Sequence, residues 1–149
     1  MTGTFTAPTP GLAHVFDMAV ERGAPLVVGA IATGGRRSQV PVIGGSFSGL
    51  GLSGRLTGGG ETLLERADGV TAVEASYYIT FSDGAVARCF GTGYCTAAGM
   101  RLALLFEAAE DCSVAELATR AFIAEQAPVS SSGASSPEAS AILAISRIT

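Results

Sequence analysis

Along most of the chain, apolar and polar residues alternate with a period of two, the mark of strands with one buried face. In Leu12–Val20, "LAHVFDMAV", the alternation places Leu12, His14, Phe16, Met18 and Val20 on one face. "LVVGAIA" follows Pro25 as a short apolar run, and "QVPVIGG" is another. Pro41 lies inside that second run and predicts a bend, because a strand tolerates proline only at an edge or bulge. "SFSGLGLSGRL" spaces Gly49, Gly51 and Gly54 along a strand, where glycine marks a bulge, a sharp bend or a close backbone approach.

The clearest strand is Val70–Phe81. Val73, Ala75, Tyr77, Ile79 and Phe81 share one face, and Glu74, Ser76, Tyr78 and Thr80 share the other. "SDGA" separates it from "VARCFGTGYC". Asp83-Gly84 between two such runs predicts a hairpin, because both turn residues must accept positive φ. "RADGV" at 66–70 predicts a second turn of the same chemistry, and "MRLALLFEA" and "AILAISRI" read as further strands.

One stretch departs from this period. Ser113 precedes "VAELATRAFIAEQ", and Glu116 stands three residues after it. That is the capping-box spacing. With Val114, Leu117, Ala121 and Ala124 on one side, it predicts a short helix over 113–126, ending before Pro128. "APVSSSGASSPEAS" predicts a mobile polar loop at about 127–138. Residues 1–10 read as a flexible N-terminal arm, and 11–149 as one domain. Eight or nine strands with tight turns and one helix imply an antiparallel sandwich or barrel. The strand glycines favour a closed barrel, which needs sharp bends. Ten glycines lie between Gly34 and Gly60, and "GLGLSG" there has the G-x-G-x-x-G spacing of a dinucleotide loop. No helix pattern follows it, so the run is read as barrel architecture.

Composition narrows the function classes. At 149 residues the chain is long enough for its own core. Only 15% of it is charged, against about 25% in an average soluble domain. A surface so poor in charge fits a covered face, and a homodimer is expected. The net charge is −4, with nine arginines and no lysine. Nucleic-acid binding is not expected without a basic patch. Schiff-base chemistry and a Gly-Lys-Ser/Thr phosphate loop both need the missing lysine. There is no run of about 18 apolar residues and no signal-peptide pattern at the start. Membrane association is therefore not expected, and a cytoplasmic setting is. Cys89, Cys95 and Cys112 form no C-x-x-C pair and read as reduced core residues. With His14 as the one histidine, no metal site is expected.

Several pieces in fixed order carry a resemblance: "HVF", "VVG", "GGRR", "PVIGGSFSG", "LSGRLTGGGE", the "DGV" turn, "VEASYYITFSDGAV", "FGTGY", "LFEA" and "ELATRAFI". Together they resemble the domain of unknown function 3237 family, over most of the chain from about Leu12. The resemblance implies an all-β fold, an antiparallel, closed, calycin- or lipocalin-like β-barrel, here with one short α-helix near residues 113–126. It implies little about activity. The chain also departs from the family pattern. Gly59-Gly60-Glu61-Thr62 stands where "GGxDW" is typical, and Glu74-Ala75-Ser76-Tyr77 where Asp-Ala-Arg-Tyr is typical. Gly49-Leu50 replaces a Gly-Pro. An acid and the tyrosine are kept, the tryptophan and arginine are not, and an active site at these positions would be altered in this chain.

The candidate chemistry depends on which face of the 70–81 strand points inward. Alternation alone favours the apolar Tyr77 face as core and the polar face in water. The alternative puts the polar face on a lumen. There Glu74 would be a general acid or base, Tyr78 a hydrogen-bond donor to an oxyanion, and His14 a further catalytic group. Arg37 and Arg88 would hold a ligand oxygen, and Glu61, Phe47 and Tyr77 would contact the ligand. The bland readings are a core histidine, a solvated Glu61 in a glycine turn, and a salt-bridged Arg37. The first function expected is a cofactor-independent enzyme on a small, mostly apolar organic molecule in the lumen, of isomerase, cyclase or lyase/hydratase type, in secondary metabolism. The alternatives are a non-catalytic lipocalin-like binder, and a structural or interaction barrel.

Overall fold

The computed structural model describes residues 3–4, 6–126 and 140–149. The strands are β1 (Leu12–Arg22), β2 (Leu26–Ala30), β3 (Arg36–Gly49), β4 (Leu52–Glu65), β5 (Thr71–Phe81), β6 (Val86–Thr96), β7 (Gly99–Ala108), β8 (Phe122–Gln126) and β9 (Ser140–Ile148). They pair in the order β1-β9-β8-β7-β6-β5-β4-β3, and β1 pairs back onto β3. The result is a closed, eight-strand antiparallel β-barrel, with β2 as a ninth strand outside the ring on the first half of β3. Closure removes the free edges that an open sheet would expose. Among the described residues, no helix is long and apolar enough to cross a membrane.

Pro41 stands where β3 changes partners. Residues up to Gln39 pair with β2, and pairing with β1 begins at Val42. Proline has no N–H to give a ladder, so it suits this gap, and its carbonyl accepts from Gly23 N at 2.8 Å. The expected hairpin is present: Gly84 has φ 91°, and the Asp83 carboxylate accepts from Ala85 N at 3.0 Å. The turn at 66–70 closes in the same way, with Gly69 at φ 85° and Asp68 accepting from Val70 N. "GLGLSG" is the β3–β4 hairpin, strand on both sides. Gly45 (φ 135°) and Gly59 (φ 121°) let strands pass closely, since a Cβ at either would sit 2.0 Å from a neighbouring carbonyl oxygen.

The helix expected near 113–126 is not formed. Ala115–Thr119 makes a single 3-10 turn without a side-chain cap, and Phe122–Gln126 is strand β8. The Ser113 hydroxyl bonds Asp83 instead of capping. Phe122 and Ala124 are buried on alternate positions, which is strand period. Tertiary pairing outweighs the helix propensity of this alanine-rich stretch, because β8 fills the gap between β7 and β9. The polar segment expected to be mobile, at about 127–138, lies outside the described residues.

The interior is packed. Phe47 packs against Phe16 (tilted) and Phe81 (edge to face), with ring centroids 5.2 and 5.0 Å apart, and Phe106 meets Phe122 edge to face at 4.6 Å. These rings fill the end of the barrel beneath the 3-10 turn, whose Val114 and Leu117 are buried. The apolar face of β5 is the core face: Val73, Ala75, Tyr77, Ile79 and Phe81 are all buried.

Candidate functional site

At the other end of the barrel, polar side chains replace the phenylalanines. β1 continues its inward series Phe16, Met18, Val20 to Arg22, its last residue. β4 turns Glu61 inward, opposite Ala75 of β5, so Tyr77 lies diagonally across one strand gap. Arg22 donates to Glu61 twice, Nε to Oε1 at 2.5 Å and Nη2 to Oε2 at 2.8 Å. Tyr77 donates its hydroxyl to Glu61 Oε2 at 2.5 Å. Arg22 Nη2 also reaches Gln126 Oε1 of β8 at 3.0 Å. Arg22 and Glu61 are 5% and 1% exposed, so this is a buried ion pair and not a surface one. Among the described residues no buried side-chain polar atom lacks a partner, which is the condition under which such a pair is tolerated.

Electrostatics follow from the burial. Desolvation, then the Glu61 charge and the bond to it, push the Tyr77 phenol well above its ordinary value, so it remains a donor. Burial works against the Arg22 charge, but the bond to Glu61 and its charge outweigh it and hold Arg22 above its ordinary value. Burial also raises the half-buried Cys95 thiol beside this cluster, with Arg22 pulling the other way. Among the described residues no group of three or more His, Cys, Asp or Glu converges as a metal site.

Gln126 also lines a groove of ≈ 1190 Å³ on the barrel flank, over β5 to β9. Ala103, Ile123, Ile142 and Ala144 form its apolar wall, and Glu74 and Tyr94 stand in it. Arg101 and Glu125 form a 2.7 Å ion pair across β7 and β8 at the same groove.

The predicted site residues are dispersed by this geometry. Glu61 and Tyr77 are brought together. Glu61 is strand, not turn, and fully buried. Glu74 and Tyr78 are exposed on the outer face of β5, so neither lines the interior; Glu74 reaches the flank groove and Tyr78 is 45% exposed. The one-residue alternation decides this, and the apolar face takes the core. His14 does not share the face of Phe16. The β1–β9 register shifts between His14 and Phe16, so Val15 and Phe16 are both buried while the His14 side chain is 53% exposed and bonds Asp17 at 2.8 Å. Arg88 lies outside as well, donating to Ser76 at 3.0 Å and Glu107 at 2.6 Å over the Phe90 ring. Arg37 is half-buried on β3 opposite Leu64. Phe47 is core.

Arg22 and Gln126 escaped the sequence reading. The signal for Arg22 was present, because a period of two from Phe16 through Val20 ends on it. Gln126 had none, since it lay at the end of an expected helix.

The family described as "Protein of unknown function (DUF3237)" matches residues 10–124, and the chain belongs to it. A UPF0311 protein of Clostridium acetobutylicum is 35% identical over 73 residues, covering 48% of this chain and 46% of that protein. The matched stretch is thus under half the length of that curated relative. Solved structures share the fold, among them the three that follow. A beta-barrel like protein from Acinetobacter baumannii superposes with a TM-score of 0.84 at 16% identity, covering 98% of this chain and 100% of that one. A conserved protein of unknown function from Rhodopseudomonas palustris gives 0.81 at 21%, covering 96% and 100%. A protein described as an enzyme, from Penicillium herquei, gives 0.76 at 20%, covering 99% and 100%.

Proposed function

We propose that this member of the DUF3237 family binds a small, mostly apolar organic molecule in the flank groove, with Gln126 as its polar anchor. One observation carries the reading: Gln126 lines an apolar-walled groove and is also held by the buried Arg22. Arginine can only donate, so the bond to Arg22 assigns the Gln126 oxygen to it and leaves the amide N–H groups to meet an acceptor. Arg22 is in turn fixed by Glu61 and Tyr77. The buried trio thus orients one hydrogen-bond donor in a groove that also has an apolar wall, and a polar group fixed in this way can set a ligand's orientation.

The test is an amide NMR titration with acetophenone and with ethylbenzene, which lacks the acceptor oxygen. Acetophenone is expected to shift Ile123, Gln126 and Ile142, and Gln126→Leu to weaken it about fivefold, the worth of one hydrogen bond. Equal binding of both probes, or shifts confined elsewhere, would overturn the reading.

A second reading is cofactor-independent acid–base catalysis in the same groove, of isomerase, cyclase or lyase type. It is favoured by Glu74, a groove carboxylate with no ion pair among the described residues, whereas Glu125 is paired to Arg101. A proton acceptor in such a groove suits removal of a proton next to a carbonyl. The description of the Penicillium herquei protein as an enzyme fits this reading. Exchange of acetophenone methyl protons in D₂O is its assay. Glu74→Gln is expected to abolish any acceleration, and no acceleration by the unaltered protein would remove the catalytic reading.

Self-association belongs to the proposal as well. Leu26, Val27 and Val28 of β2 are 67%, 59% and 67% exposed, on a strand paired with β3 alone. An uncovered apolar edge of this kind invites a second copy. Light scattering should give twice the 14.9 kDa chain mass, reverting to one chain in Val28→Glu. The setting proposed is cytoplasmic, which suits three free cysteines.

A further inference from the structure

We propose a second ligand site at the barrel end far from Arg22: the cleft beside the 3-10 turn takes a small apolar molecule with a carboxylate head. The cleft has a volume of ≈ 260 Å³ and lies between that turn, the start of β1 and the β3–β4 hairpin. Its apolar lining includes Leu52, Leu117 and Phe122. The volume falls below the roughly 300–1,000 Å³ of drug-sized sites, so the ligand is small.

Two arginines line this cleft, Arg120 and Arg147. Neither forms an ion pair among the described residues; the six pairs there involve other arginines and His14. Arg147 follows Leu143 and Ile145 on the inward face of β9, opposite Phe122 of β8, and is half-buried. An inward, half-buried guanidinium with no ion pair among the described residues suits an anion, and a planar carboxylate best. The other titratable groups facing the cleft are Glu116 and His14, and His14 is bonded to Asp17. Two guanidinium charges against one lining carboxylate leave the cleft positive.

Leu50 supplies an independent sign. It is the one non-glycine residue with positive φ among the described residues, at 46°. Gly49 pairs with Leu52, so Leu50 and Gly51 form a two-residue turn in which Asn or Gly is relaxed. Leucine there is strained, and strain in a backbone is kept where the side chain has a use. Its side chain is 76% exposed and stands at this cleft. What leucine adds over asparagine is an apolar lip.

Octanoate and octanol distinguish the outcomes, by amide NMR titration of the full chain. Octanoate is expected to shift Leu117, Phe122 and Arg147, and to bind about tenfold more tightly than octanol. Arg147→Gln should remove that preference, and the exposed Arg120→Gln should reduce it, which keeps the test decisive if the first variant folds poorly. Leu50→Asn should weaken both probes alike. Equal affinity of the two probes, an unchanged preference in both arginine variants, or no shifts at these residues would overturn the proposal.

Discussion

Tyr77 and Glu61 meet inside the barrel, the phenol donating to a carboxylate oxygen at 2.5 Å across neighbouring strands. That oxygen also accepts from Arg22, so the tyrosine completes the shell of a buried charge. The contact ties a ring of the core to the only buried ion pair among the described residues.

Tyr77→Phe keeps the ring and removes the donor. A hydrogen bond to a charged group contributes about 1.5–3 kcal/mol. Urea unfolding should show a loss in that range with an unchanged m-value, whereas a loss below about 0.5 kcal/mol would mean the bond is not made in solution.

Glu61→Leu leaves Arg22 buried without its carboxylate and should cost about 3–5 kcal/mol. Arg22→Met combined with Glu61→Leu should recover most of that loss, because an apolar pair of similar volume tolerates the interior. A double-mutant cycle by chemical denaturation reads the coupling directly.

Alkali should weaken the fold through Tyr77 and Cys89. Burial raises both groups above their ordinary values of 10.0 and 9.0. Above those values the unfolded chain sheds two protons that the fold retains, so stability is full below pH 9 and falls as the pH climbs past 9 and 10. Each such proton contributes a slope of about 1.4 kcal/mol per pH unit. Urea midpoints between pH 8 and 11 should trace this fall, and Tyr77→Phe with Cys89→Ala should flatten it.

Gly45→Ala should be poorly tolerated. The backbone is at φ 135°, and the new Cβ would lie 2.0 Å from the Ala19 carbonyl oxygen on β1. A loss above about 2 kcal/mol is expected in thermal or urea unfolding. Gly34→Ala is the control, where the added carbon meets open space and only its φ of 101° opposes it.

Most of the fold was legible along the chain because strand period, Asp-Gly turns and strand glycines are local signals. The β5 faces and the hairpin at Asp83-Gly84 both follow from neighbours within a few residues. A closed barrel then follows from having many strands and few other elements. The helix over 113–126 was misread because Ser113, Glu116 and the alanines state a local preference, while the gap between β7 and β9 is a demand from residues far along the chain. The same holds for the sites. Glu61 sits among glycines that look like a turn, and only its pairing with Val40 and Ala75 turns it inward. Arg22 and Gln126 are 104 positions apart, and a single bulge beside Val15 reverses the face of His14. Alternation along a strand says which residues share a face. Which face is inside, and which distant side chains meet there, is settled by how the ring of strands closes.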